Sequence, residues 1–381
     1  MKKIILVALL SPSLLAVNAP KPASKEHTKT IMHGIYSDLQ ELFPLSFREK
    51  DFSSPKNQPR ILAGLRRLKK QAATLQDHMN QQPVSSSIAE MLRSDIEDAE
   101  GWYARGGYHQ ASFTLRHMVN NCVSCHSKNP AAETFVNSKG FSAFIKTKDL
   151  SHEEKIKLLI TTRQFEEAMT FIENYILLDS TDLDQVFGNR TIVDYLKISI
   201  QVKNELDRVL NFLRSLEKRN LSSFAAKMVL RWKEDLGGFT ENMKKGEVFT
   251  LSKIKEKLTK NNEDLFESDN LNLARYVFLA SRLQTLLESQ ETSLAPDANT
   301  QAEIYYLLGY IENMVERSFW LSETKFYLQA AIKAAPQSEY AWKAYLLLEE
   351  LTILGFTGSS GTNIPEDVRA WLKQLRKDTG R

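Results

Sequence analysis

The stretch from Ile61 to Met79 constrains the fold more than any other part of the chain. Ile61, Leu65, Leu68, Ala72, Leu75 and Met79 recur at steps of four and three, which is one face of an α-helix. A helix cannot bury its own apolar stripe, so the rest of the chain must supply partners. Upstream, His27 to Phe43 sets Met32, Ile35, Leu39 and Leu42 at helical spacing, and Pro44 is expected to end that helix. Ser46 to Pro59, with Pro55, Pro59 and Ser53-Ser54, reads as a loop. Downstream, Pro83 breaks the chain, and Ser85, Ser86 and Ser87 offer N-caps to a third helix carrying Ile88, Leu92, Ile96, Ala99 and Tyr103 on one side. Gly106-Gly107 makes a tight turn, after which a fourth helix carries Ala111, Leu115, Met118 and Cys122 inward. An antiparallel four-helix bundle in an all-α chain is the expectation.

Composition points the same way. Gly 15 and Pro 11 are sparse for 381 residues, which disfavours a turn-rich sandwich or barrel. Apolar residues at 42% and charged residues at 25% exclude a wholly disordered chain. Lys plus Arg number 50 against 47 Asp plus Glu, so nothing in the balance calls for a nucleic-acid partner. Arg66, Arg67, Lys69 and Lys70 line the second helix, and Asp95, Glu97, Asp98 and Glu100 the third. Two solvated faces that pair across the bundle account for this, and a basic docking surface for an acidic partner is the alternative.

The first residues read as an export signal. Lys2 and Lys3 form a positive start, Ile4 to Leu10 an apolar run, and Val17-Asn18-Ala19 a small-residue cleavage pattern. Pro20 sits awkwardly just after the cut, because its locked φ and missing N–H hinder a peptidase. The apolar run stops at Ser11-Pro12, short of the ~20 residues that span a bilayer. The expectation is a periplasmic protein with no membrane span after signal removal.

The division expected is a signal peptide over 1–19, a bundle over 20–130, a linker over 131–150 and a helical-repeat-like region over 151–381. In the last of these, Ile156, Leu159 and Ile160 precede a turn near Thr162, and Gln164 to Ala168 opens a helix through Phe171, Ile172 and Tyr175. Tyr305, Leu308 and Gly309, then Leu328, Ala331 and Pro336, then Trp342, Ala344 and Leu347, resemble a degenerate tetratricopeptide repeat, although Phe319-Trp320 falls where that family keeps a small residue. This implies an α-solenoid-like array. Asp235 to Asn272 is polar and reads as exposed helices and loops.

Only two cysteines occur, in Cys122-Val123-Ser124-Cys125-His126. Two thiols three apart can each add to a haem vinyl group, and the next imidazole then reaches the iron. A zinc site lacks a second Cys/His pair nearby. A thioredoxin-type pair would follow a strand at a helix start, whereas this one ends a helix. A disulfide here would be strained and close a very short loop. One covalent haem c through Cys122 and Cys125, with His126 as iron ligand, is the expectation.

With four helices, a long first loop, a short last turn and the Cys122–His126 motif closing the fourth helix, residues 27–128 resemble the cytochrome c-prime family and its low-spin relatives. The chain departs from that family in having Lys128 and Pro130 after the motif. The resemblance implies a second axial ligand from a first-helix methionine, a place that Met32 occupies. His33 or His27, or an open sixth position, are the alternatives, and Met32 as simple core filler is the plain one. His78, His109, His117 and His152 read as surface or capping groups. Single-electron transfer follows, with a redox partner docked through residues 151–381. A five-coordinate gas-binding sensor, or a helical scaffold with haem as a staple, are the other readings. No catalytic triad, paired-carboxylate site or phosphate loop is present, so no turnover enzyme is expected, and a peroxidase would need an open sixth position.

Overall fold

The computed structural model of the chain describes residues 25–79, 83–126, 139–147, 150–187, 190–259, 269–291, 293, 297–315, 323–359 and 361–381. The export signal, the cleavage point near Ala19, Lys128, Pro130 and Phe319-Trp320 lie outside the described residues. The fold is all-α. Its first part comprises α1 (Lys25–Ser46), α2 (Glu49–Phe52), α3 (Gln58–His78), α4 (Pro83–Ala104), α5 (Tyr108–His117), α6 (Val119–His126) and α7 (Lys139–Ile145).

The helices α1, α3, α4 and α5 form a four-cornered bundle. α3 packs on both α1 and α4, and α5 packs on α4 and α1. The α3 stripe does as its spacing demands: Ile61, Leu65, Leu68, Ala72 and Leu75 are buried and Met79 is half-buried. At one end, Tyr103 Oη donates to the Phe52 carbonyl at 2.8 Å and Ser112 Oγ to the Ser46 carbonyl at 2.8 Å. The charged faces pair across the bundle: Arg67 reaches Asp38 at 2.7 Å and Glu41 at 2.9 Å, and Arg66 and Lys69 reach Glu100 at 3.1 and 3.3 Å. The arginine and lysine ends of these pairs stay open to solvent while Asp38 is buried, so the pairs fix helix order more than they stabilise.

Several local expectations are corrected. Pro44 lies inside α1, which continues to Ser46, because in a last turn only one backbone bond is forfeited. The 46–59 loop holds α2, whose Phe52 is buried against Tyr103 at 5.0 Å between ring centroids. Ser85, Ser86 and Ser87 sit inside α4 rather than at its cap, since Pro83 itself starts that helix. The fourth helix is broken at Met118 into α5 and α6, with no Gly or Pro to signal it. Within the stretch read as a linker, α7 packs on α1, with Phe141 edge-on to Tyr36 and Phe144 tilted against Phe47.

The remaining chain forms α8 (His152–Thr161), α9 (Phe165–Leu177), α10 (Leu183–Phe187), α11 (Arg190–Leu196), a π-helix (Lys197–Val202), α12 (Leu206–Leu216), α13 (Ser223–Lys244), α14 (Leu251–Thr259), a 3₁₀ turn (Asp269–Asn272), α15 (Leu273–Glu291), α16 (Ala298–Val315), α17 (Glu323–Ala334), α18 (Glu339–Gly355) and α19 (Glu366–Asp378). A two-stranded hairpin, β1 (Thr357–Gly358) with β2 (Gly361–Thr362), links α18 to α19. α8 opens with a capping box: Glu154 N–H donates to Ser151 Oγ while the Ser151 N–H donates to the Glu154 carboxylate. From α12 onward neighbouring helices stack on one another, the α16–α17 hairpin most closely. A Cβ on Gly309 would meet Leu328 Cδ2 at 2.8 Å and Cγ at 3.0 Å, so any side chain added there must displace Leu328. Among the described residues of the polar stretch 235–272, exposure is lower than the composition suggests. Leu236, Phe239, Phe249 and Ile254 are buried, and Phe239 stacks on Phe278 at 4.3 Å.

Candidate functional site

The Cys122–His126 motif occupies α6, a helix buried nearly all round: Val119, Asn121, Cys122, Val123, Ser124 and His126 are all inside. Its principal neighbours are α4, α5 and α8. Asn121 Nδ2 donates to Asp95 Oδ2 of α4 at 2.7 Å and so fixes the helix's rotation. The two thiols are one helical turn apart, Cys122 buried and Cys125 half-buried, and neither is in a disulfide. Burial, reinforced by the neighbouring Cys125, pushes the Cys122 thiol up to about 12, so it stays protonated at neutral pH. That is the opposite of the lowered value that a reactive redox thiol requires.

His126 is 3% exposed. Burial first, and then the charge of Arg163, push its imidazole down to about 3, against opposing interactions with the backbone of Thr161 and Ile160. The ring is therefore neutral, the form that ligates a metal. Thr161 and Ile160 belong to the last turn of α8, so the first helix of the array closes over the motif. The donor set fits a covalently attached haem: two thiols on one helix for the ring's side groups, and a neutral imidazole next in sequence for the iron. Among the described residues no three His, Cys, Asp or Glu side chains converge as ligands to an ion would.

Met32 lies on α1, half-buried against the core, one position after buried Ile31 and in phase with buried Ile35, Leu39 and Leu42. His33 is exposed, as its phase implies. In an antiparallel bundle the start of α1 and the end of α6 share one end, but α1's principal neighbours are α2, α3, α5 and α7 rather than α6. Met32 is therefore at the right end of the bundle, on a helix that is not a principal neighbour of the motif helix. His27 and His78 meet edge-to-face at 4.7 Å, and Thr28 Oγ1 hydrogen-bonds His78 Nε2 at 2.9 Å, a grouping the sequence spacing does not reveal. His117 rests on Phe113 at 4.0 Å, and His152 stacks on Tyr175 at 4.1 Å.

Two open clefts lie on the array. One, of about 490 Å³, is lined by Asn204–Arg208, Thr240, Met243 and Lys244. Within it Arg208 is engaged by Glu173, Glu166 and Glu205, which hold its guanidinium well above its ordinary value. The other, of about 440 Å³, is lined by Asp179, Asp182, Asp184, Lys218 and Arg219 among others.

Compared with protein-family models, with curated proteins and with solved structures, the chain matches none. The likeness to cytochrome c-prime therefore rests on the motif and on the helix arrangement alone. The residues that spacing did not point to are Ile160, Thr161 and Arg163. They lie more than thirty positions from the motif, and only the docking of α8 on α6 brings them to it.

Proposed function

We propose that the chain is an exported, periplasmic c-type cytochrome that carries one haem through Cys122 and Cys125 and passes single electrons. The observation that carries this reading is the Cys122–His126 motif itself, set on a buried helix at one end of an antiparallel bundle with its imidazole held neutral. When bound, the haem supplies an iron that takes up and releases one electron. The chain's part is to hold both thiols on one rigid turn, keep His126 unprotonated and exclude water from it through α4, α5 and α8. The burial that keeps the Cys122 thiol protonated argues against a reactive dithiol, and the lack of a second Cys/His pair nearby argues against a zinc site.

Met32 is the proposed sixth ligand, and a redox partner docking through residues 151–381 is the proposed role of the array. A five-coordinate, gas-binding haem is favoured by one observation: α1 is not a principal neighbour of α6, so Met32 is not presented to His126 by direct helix packing. A haem-stained denaturing gel followed by an absorption spectrum tests both readings. Haem that survives denaturation supports covalent attachment. Sharp low-spin bands that resist carbon monoxide support the sixth ligand, whereas rapid carbon monoxide binding supports the open position.

A further inference from the structure

Among the described residues, the half-buried guanidinium of Arg282 on α15 meets no carboxylate, and its buried Nε has no hydrogen-bond partner. Burial holds the group below its ordinary value, with no acidic neighbour to offset this. A desolvated charge without a counter-ion is costly, so what lies in front of it matters. Its position is well fixed. Nη2 donates to Asn204 Oδ1 at 3.2 Å and to Ser281 Oγ at 2.9 Å, and the guanidinium carbon lies 5.2 Å from the centroid of Phe278, which itself stacks on Phe239. Asn204 follows the π-helix, a conformation frequent at functional sites, and lines the open cleft of about 490 Å³. The other charges of that cleft pair with one another: Arg208 with Glu166, Glu173 and Glu205, and Lys244 with Asp207 at 3.9 Å. Leu206 and Met243 supply its apolar wall.

We propose that Arg282 and Asn204 form the polar end of a binding site for a small amphipathic monocarboxylate, whose apolar body lies against Leu206 and Met243. A guanidinium is weakly hydrated and presents parallel N–H groups that match the two oxygens of a carboxylate. Asn204 gives its Oδ1 to Arg282 and keeps its Nδ2 as a donor to the same ligand. The half-buried position matters, because a fully exposed arginine would be screened by solvent and salt. Charge selects the class of ligand: Glu205 and Asp207 line the same cleft, so phosphate or another dianion meets a repulsion that a single negative charge meets less. The cleft's volume is within the range usual for small-molecule sites. The site lies on the array, involves no residue of the Cys122–His126 motif and stands whether or not the chain carries haem.

The test titrates the full chain with sodium hexanoate by isothermal calorimetry at constant ionic strength, in wild-type form and as Arg282→Gln and Asn204→Gly. Hexanoate should bind the wild type saturably at one site per chain and raise its melting temperature, whereas neutral hexanamide and inorganic phosphate should do neither. Arg282→Gln should weaken hexanoate binding about tenfold or more, the scale of one charge-assisted hydrogen bond. Asn204→Gly suits the left-handed backbone at that position, φ 53°, so it keeps the fold while removing the side chain, and it should weaken binding severalfold. That variant separates loss of the site from loss of structure. No saturable binding of hexanoate to the wild type, undiminished binding by Arg282→Gln, or displacement of hexanoate by phosphate each overturns the proposal.

Discussion

Lys197 offers the sharpest test of how the array is held together. Its ammonium lies 2.9 Å from Glu312 Oε2 and 4.0 Å from Glu323 Oε2, and the three side chains are 3%, 1% and 1% exposed. Coulomb attraction at these distances is about 4–6 kcal/mol per pair at an effective dielectric of ~20, set against the desolvation of three charges and the repulsion between two carboxylates. The three-residue cluster as a whole is therefore worth little relative to an apolar substitute, but removing one member is expensive. Lys197→Met removes the ammonium beside two buried carboxylates and should cost about 3–5 kcal/mol. Adding Glu312→Gln and Glu323→Gln to it should recover at least half of that loss, because the two buried negative charges go with it. Urea unfolding followed by circular dichroism measures each term, and the three single variants should sum to far more than the triple. If Lys197→Met changes stability by less than ~0.5 kcal/mol, the cluster is not enclosed as described and the seam joining the π-helix to α16 and α17 has been misread.

Further outcomes follow from other parts of the molecule. Gly309→Val should destabilise the α16–α17 hairpin by roughly 1–3 kcal/mol through overpacking against buried Leu328, while Gly309→Ala, which gains up to ~1 kcal/mol of helix propensity, should cost much less; thermal denaturation of both variants decides it. Burial holds the Asp38 carboxyl above its ordinary value despite Arg67, so the native state binds a proton more readily than the unfolded chain does. Stability from this group is therefore present at low pH and lost as pH rises from the ordinary aspartate value through the raised one. The stability of Asp38→Asn relative to wild type should accordingly rise over that window and then level off, and a flat difference across the acid range would contradict this. In haem-loaded protein, Met32→Ala should convert the low-spin spectrum to high-spin and admit carbon monoxide; an unchanged spectrum would remove Met32 as the ligand.

What the sequence made legible was set by local physics. The α3 stripe and the α8–α9 hairpin each follow from the spacing of apolar residues, and both stand in the structure. The break at Met118 was not legible, since no Gly or Pro marks it and both halves keep the same apolar phase. Burial in the 235–272 stretch was hidden because Phe239 and Phe249 find their cover on Phe278, far along the chain. Lys197 looks like any surface lysine until Glu312, 115 residues away, is beside it. At the candidate site, Cys122, Cys125 and His126 declare themselves by spacing. The carbonyl-bearing turn of α8 and Arg163 come to them through tertiary packing that no local pattern records.

The most direct measurement is the intact mass of the chain, isolated from a host able to attach haem outside the cytoplasm, with peptide mapping across α6. One added haem, borne by the peptide holding Cys122 and Cys125 and stable to denaturant, is the expected result. The same peptide recovered with two free thiols and no added mass would contradict the account.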